Sequence, residues 1–223
     1  MAKRPVFVSV EKKPFVKEIN VEFTYHSGFA ISQKKKNVQS IHEEFLKMMP
    51  DKKVIEISTK SDEELGIRLS AFNLYDSKKR SVESLFQGSK VFKDKGPFHD
   101  IYSKNSYEAK KDERLKGDLV EFDFEGARYP ILPRTFFYDW LYLNVLNQND
   151  QQLKNAILRY NAFTDIEFNP VKSLNCQARS LAIYVSLCQT NLLEEALKNA
   201  QTFKEMVYQD NEIEVKERSL FDL

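Results

Sequence analysis

An acid, an amide and an amine are regularly spaced in the segment ESLFQGSKVF, residues 83–92. In a helix, Glu83, Gln87 and Lys90 would lie on one side, with Glu83 and Lys90 within about 20° of each other, two turns apart. If a cleft covered that side, a desolvated Lys90 amine could attack the anomeric carbon of a sugar while Glu83 moved the proton. The spacing is compatible with glycosidic-bond chemistry, and a solvated helix face is the alternative interpretation.

Other common catalytic and metal-binding patterns are absent from the sequence. It has no GxSxG elbow, no P-loop, and no HExxH or CxxC spacing, so neither a metal nor a cofactor is expected. His42 lies on an apolar helical stripe, where a core histidine is more typical than a catalytic one. Cys176 and Cys188 fall in one predicted helix, about 18 Å apart, whereas a disulfide requires Cα atoms within about 7 Å.

The composition excludes several classes of protein. The chain has 223 residues, of which 34 are basic and 33 acidic, so a histone-like protein that binds nucleic acid by charge alone is excluded. The longest useful apolar run, Leu181 to Val185, is far shorter than the roughly 20 residues of a membrane span. The first residues carry positive charges but no apolar signal-peptide segment, so we expect a cytoplasmic protein without membrane contact.

Hydrophobic spacing predicts an α+β fold in which helices outnumber strands. We expect a single, mostly helical domain at residues 61–207 with a small β-sheet, a β-rich N-terminal extension at 1–60 packed on it, and a C-terminal tail at 208–223. One helix follows the apolar stripe from Val38 to Met49, and the helix at 173–189 is expected to be central and buried. The other predicted helices are 81–92, 105–114, 134–146, 150–160 and 192–207, and the predicted strands are 5–10, 19–25, 53–58, 119–125 and 164–168.

Three segments together resemble the NADAR family: LSAFNL at 69–74, ESLFQGSKVF at 83–92 and SYEAKKDERL at 106–115. The family typically shows a Ser-Asn-Phe element, then Glu-x-x-Phe/Tyr-Gln-Ala-x-Lys-Phe, then an Ala-rich helix. The Glu-to-Lys spacing of this sequence matches the family without a gap. A weaker resemblance continues through 137–146 and 175–187, so that it covers roughly residues 60–190.

The resemblance implies an N-glycosidase. Family members split N-glycosidic bonds, either in riboflavin-pathway intermediates or between ADP-ribose and guanine. The subgroup with such an N-terminal extension resembles NADAR antitoxins paired with DarT-type toxins, which ADP-ribosylate guanine in DNA. The implied function is a hydrolase that removes ADP-ribose from guanine in DNA. Either Lys90 is a Schiff-base nucleophile and Glu83 the general acid/base, or Glu83 activates a water molecule and Lys90 only binds phosphate or stabilises charge.

Two alternatives remain open at this point. The first is an N-glycosidase acting on riboflavin-pathway nucleotides, and the second is a non-catalytic antitoxin that neutralises its toxin by contact. The partners expected from the resemblance are ADP-ribosylated DNA, ADP-ribose and a cognate ADP-ribosyltransferase toxin.

The resemblance also nominates substrate-binding residues, and here the sequence departs from the family. The Ser-Asn-Phe element reads Ser70-Ala71-Phe72, so Ser70 and Asn73 are the candidates for its polar contact, alongside Gln87 of the Glu-to-Lys motif. The family's Trp-Gly segment with its nearby Asp is missing. Asp165 or Glu167, predicted to share one face of a strand, could replace that carboxylate; simple solvent exposure is the alternative.

A diphosphate site is expected at the start of the helix at 173–189. Its first turn would contain Asn175 and Gln177, whose free backbone N–H groups suit an anion. Arg179, one turn further on, and Arg134, at the start of the aromatic helix, are candidates for added positive charge.

Three basic clusters, Lys34–Lys36, Lys78–Arg80 and Lys110–Lys111, are each accompanied by nearby acids, so general affinity for DNA should be weak. The cluster at Lys78–Arg80 directly precedes the Glu83 segment and is the candidate to guide a DNA backbone towards the cleft.

Overall fold

The computed structural model describes residues 1–171 and 173–208 of the chain. Within them lie nine α-helices and seven β-strands, which confirms the α+β class. The predicted tail at 208–223 lies outside the described residues except for Tyr208, which is buried. No helix in the described ranges is long and apolar enough to cross a lipid bilayer.

The elements are β1 (Ala2–Ser9), β2 (Val16–Phe23), α1 (Ile31–Met48), β3 (Val54–Glu56), α2 (Glu64–Arg68), α3 (Val82–Gly88), β4 (Lys90–Phe92), a 3-10 helix (His99–Ser103), α4 (Ser106–Lys110), β5 (Leu119–Phe124), β6 (Ala127–Pro130), α5 (Phe136–Asn147), α6 (Gln151–Ile157), β7 (Ala162–Thr164), α7 (Gln177–Gln189), α8 (Leu193–Ala196) and α9 (Ala200–Val207).

A four-stranded sheet in the order β2-β1-β7-β3 forms the centre of the fold. Strand β7 is antiparallel to β1 and parallel to β3, and all of its residues are buried. Because side chains alternate along a strand, Phe7 and Phe163 enter the core on one face, whereas Val8 and Ala162 enter the core on the other. Helix α1 covers the second face through its predicted stripe, and α7 packs on β1 and β7.

Helix α7 is the buried central helix that its apolar pattern predicted, but it begins at Gln177 instead of residue 173. The Gln177 side chain accepts a hydrogen bond from the Ala71 N–H at 2.6 Å and donates one to the Ile57 carbonyl at 2.5 Å. These long-range bonds fix the first helical residue, and Cys176 before it is extended. The two cysteines are therefore not in one helix, and both are free thiols.

The predicted helix at 81–92 is also shorter, because its last part joins a second sheet of order β4-β5-β6. Helix α3 ends at Gly88, and Lys90 pairs with Phe122 of β5. The Ser89 carbonyl accepts a hydrogen bond from the Asp123 N–H at 2.7 Å, so hydrogen bonds to β5 replace those that would continue the helix. Val91 and Phe92, a β-branched and an aromatic residue, suit a strand.

Polar side chains explain three further differences from the predicted elements. The strand at 164–168 is displaced to 162–164, because Asp165 accepts hydrogen bonds from the backbone that follows and forms a turn. The helix at 192–207 is divided into α8 and α9, where Asn199 caps α9 by accepting the Thr202 N–H at 2.9 Å. The helix at 105–114 ends at Lys110, before a turn in which Asp112 accepts the Arg114 N–H at 3.1 Å.

Candidate active site

A cavity of about 640 Å³ opens between α3, α4, the turn after β7 and the residues that lead into α7. This volume lies in the range typical of small-molecule sites. Eight of the eleven residues that the sequence nominated line it: Ser70, Glu83, Gln87, Lys90, Asp165, Glu167, Asn175 and Gln177.

Helix α3 brings the acid, the amide and the amine to this cavity. Its first turn is fixed by Ser81, whose side chain accepts the Ser84 N–H. The buried Glu83 carboxylate accepts a hydrogen bond from Gln87 Nε2 at 2.9 Å. Ser89 keeps helical φ and ψ angles of −79° and −10°, so the helical winding continues one residue beyond α3. Lys90 therefore lies on the same side as Gln87, facing the cavity, although it is the first residue of β4.

Lys90 is a cavity-facing amine in an apolar setting. Its Nζ lies 4.9 Å from the ring centroid of Phe86, and it forms no ion pair with any described residue. Burial lowers the pKa of the Lys90 amine; the charge of Glu83 opposes this effect and the positive charge of Lys110 adds to it. A larger fraction of the amine is therefore neutral than in an ordinary lysine, as a nucleophile requires.

A second acidic group stands at the turn after β7. The pKa of the Asp165 carboxyl is raised well above its usual value by burial and then by the charge of Glu56. Glu56 is itself buried and accepts hydrogen bonds from Ser58 Oγ at 2.6 Å, Thr164 Oγ1 at 2.6 Å and the Ile166 N–H at 2.8 Å. The raised pKa favours the protonated form of Asp165, which can donate a proton to a leaving group. Sequence reasoning missed Glu56, for which the signal was a carboxylate inside the apolar strand KVIEIS.

The expectation that Asp165 and Glu167 share one face of a strand is wrong, because both lie in the turn. Asp165 accepts the N–H groups of Glu167 and Phe168 at 3.0 and 3.2 Å. Glu167 is exposed and forms an ion pair with Lys34 at 3.1 Å. Its charge is therefore compensated at the edge of the cavity, whereas Asp165 lies deeper.

Asn175 is the nominated binding residue whose polar atom is left without a partner. Its Oδ1 is buried and accepts no hydrogen bond within the described chain. A buried acceptor without a partner is costly, so a ligand hydroxyl at this place would be stabilising. Ser70 and Gln177 differ, since Ser70 Oγ already donates to the Ile67 carbonyl at 2.7 Å and Gln177 holds α7.

The other three nominated residues do not line the cavity. Asn73 donates to the Ile67 carbonyl at 3.1 Å, and Arg134 is exposed before α5. Arg179 forms an ion pair with Asp139, which is completely buried. The expected anion site in the first turn of a helix starting at 173 is also not formed as predicted, because α7 starts four residues later and has no side-chain cap.

The sequence as a whole agrees with one known family. Residues 2–217 match the family NADAR-DarT1, described as DarT1-associated NADAR antitoxin. No curated protein matches the chain. In the described part of the chain, no group of three or more His, Cys, Asp or Glu side chains could hold a metal ion.

Proposed function

Because the chain belongs to the DarT1-associated NADAR antitoxin family, we propose that it is a glycosidase that removes ADP-ribose from guanine bases of DNA. It thereby reverses the modification made by a cognate ADP-ribosyltransferase toxin. The observation that carries the proposal is the Lys90 amine, with its lowered pKa, in one cavity with the buried Glu83 carboxyl.

In the first step, the neutral Nζ of Lys90 attacks C1″ of the ribose. The Nζ–C1″ bond forms while the bond between C1″ and the guanine nitrogen breaks. The Glu83 carboxylate takes a proton from Nζ and passes it to the departing guanine nitrogen. Asp165, whose raised pKa favours its protonated form, is a second proton donor within the same cavity.

In the second step, the sugar ring opens and C1″ forms an imine with Nζ, while Glu83 transfers the remaining Nζ proton to the ring oxygen. A water molecule deprotonated by Glu83 adds to C1″, and Glu83 returns that proton to Nζ. The C1″–Nζ bond then breaks as the proton of the new hydroxyl group passes to Nζ. The amine regains its starting state and ADP-ribose is released, so one water molecule is consumed per bond cleaved. The unpartnered Oδ1 of Asn175 is the group that we assign to a ribose hydroxyl.

The test is release of ADP-ribose from guanine-ADP-ribosylated single-stranded DNA by the wild type, Lys90→Ala and Glu83→Gln. We expect the turnover number of both variants to fall at least about 10³-fold, because Lys90→Ala removes the nucleophile and Glu83→Gln removes the general acid/base. Lys93→Ala is the matched control, since Lys93 is an exposed lysine on the same segment that does not line the cavity. Borohydride added during turnover should reduce the imine and attach ADP-ribose to Lys90, as mass spectrometry of the peptide would show.

Full activity of Lys90→Ala would contradict the covalent scheme. Absence of release by the wild type would contradict the proposed reaction, and protection of cells by Lys90→Ala would then indicate neutralisation of the toxin by contact.

A further inference from the structure

One face of helix α4 forms part of the cavity rim. Tyr107 and Lys110 are spaced i and i+3 on this face, and Lys111 directly follows the helix at i+4; all three line the cavity. The opposite face fixes the helix, because Ala109 is buried and Ser106 Oγ donates to the Phe72 carbonyl at 2.8 Å. The outer side chains are thus presented by a fixed element.

Tyr107 is a large aromatic side chain that remains 59% exposed. It meets Phe72 edge-to-face with the ring centroids 5.0 Å apart, and Lys110 Nζ lies 5.1 Å from the centroid of Phe72. These contacts orient Tyr107 and leave part of its surface uncovered at the cavity mouth. An exposed, fixed aromatic ring beside lysines is the arrangement that binds unpaired nucleobases and their phosphates.

Lys110 and Lys111 also differ from the other two basic clusters in their charge environment. The clusters Lys34–Lys36 and Lys78–Arg80 are largely neutralised by ion pairs: Lys34 with Glu167, Lys35 with Asp62, Lys78 with Glu125 and Arg80 with Asp76. The cluster at Lys78–Arg80, expected to guide DNA, also does not line the cavity. Lys110 and Lys111 form no ion pair within the described residues, so their charge is available to a phosphate.

We propose that the α4 rim, defined as Tyr107, Lys110 and Lys111, binds the nucleotide adjacent to the modified guanine of single-stranded DNA. The neighbouring base stacks on Tyr107, and the phosphate between the two nucleotides lies against the lysines. A base in a duplex is already stacked and paired, so this surface favours single-stranded over double-stranded substrate. The inference rests on the proposed function, because it describes how that substrate enters the same cavity.

The experiment compares two substrates: ADP-ribosylated guanosine as a free nucleoside, and the same modification inside a single-stranded oligonucleotide. For the wild type we expect kcat/KM to be higher for the oligonucleotide. Tyr107→Ala should lower the oligonucleotide-to-nucleoside ratio of kcat/KM by about tenfold, as loss of one base stack predicts. Tyr107→Phe, which keeps the ring, should retain the ratio.

The lysines are tested by the salt dependence of binding to an unmodified single-stranded oligonucleotide, followed by fluorescence anisotropy. Lys110→Ala/Lys111→Ala should reduce the slope of log K against log[salt] by about 0.7, which corresponds to the loss of one phosphate contact on a single strand. The control variant Lys198→Ala/Lys204→Ala removes two lysines outside the cavity. It should leave the salt slope and the oligonucleotide-to-nucleoside ratio of kcat/KM unchanged.

The outcomes separate the two proposals. Equal kcat/KM of the wild type on both substrates, or equal losses of Tyr107→Ala on both, would overturn the α4 rim while leaving the glycosidase intact. If the wild type cleaved neither substrate, the proposed function would fail, and the anisotropy measurements would still decide whether this surface binds DNA.

Discussion

Replacement of Arg179 separates a structural role from a substrate-binding role. Its guanidinium is the counter-charge of Asp139, whose side chain is completely buried and also accepts hydrogen bonds from Ser180 Oγ at 2.6 Å and Tyr208 Oη at 2.5 Å. Arg179→Met would leave that carboxylate without its cation. Breaking a buried pair in this way costs about 3–5 kcal/mol, and we expect about 3 kcal/mol because the Arg179 side chain retains 17% exposure.

The assay is urea denaturation followed by tryptophan fluorescence, with ADP-ribose affinity measured calorimetrically under conditions where the variant is folded. The matched control is Arg128→Met, which breaks an ion pair between Glu121 and a 74%-exposed arginine and should cost less than about 1 kcal/mol. Adding Asp139→Asn to Arg179→Met should restore part of the lost stability, since the unpaired buried charge is removed.

A different pair of results would refute this reasoning. If Arg179→Met unfolded with nearly wild-type free energy but bound ADP-ribose at least tenfold more weakly, Arg179 would be a ligand contact, as the sequence alone suggested.

Two further predictions concern pH. Burial lowers the pKa of the Lys90 amine and the positive charge of Lys110 lowers it further, so Lys110→Ala should raise this pKa. Because turnover rises with pH as the amine becomes neutral, the acid limb of the pH–turnover profile of Lys110→Ala should lie at higher pH than that of the wild type. An unchanged acid limb would contradict this coupling. Burial lowers the pKa of His42 to about 4, below its usual 6.5, so wild-type stability should fall as pH decreases from about 6.5 towards 4, and His42→Gln, measured by denaturation across this range, should lack that loss.

Local pattern was sufficient for part of the fold and of the site. Apolar spacing indicated the stripe of α1 and the buried centre of α7. The intervals from Glu83 to Lys90 indicated that these side chains share one side, and the structure places a cavity there. Such intervals depend only on helical winding, which extends one residue beyond the end of α3.

What the sequence did not reveal depends on partners far along the chain. Lys90 begins a strand because Phe122 and Asp123 of β5, about thirty residues later in the chain, pair with this segment. Arg179 is directed away from the cavity by Asp139, forty residues earlier in the chain. No periodicity within either segment carries this information, because the competing bond is made only in the assembled fold.

The position of β7 between β1 and β3 has a consequence for synthesis. Phe7 pairs with Phe163, and the turn that carries Asp165 follows directly, so the site forms only when segments more than 150 residues apart have met. The chain must lose the conformational entropy of closing this long loop before the contact between β1 and β7 stabilises it, and topologies of this kind fold slowly. A ribosome-bound chain that has not yet reached β7 contains the β1–β2 hairpin and Lys90 but lacks Asp165, so the candidate site cannot assemble before β7 and the turn after it have been synthesised.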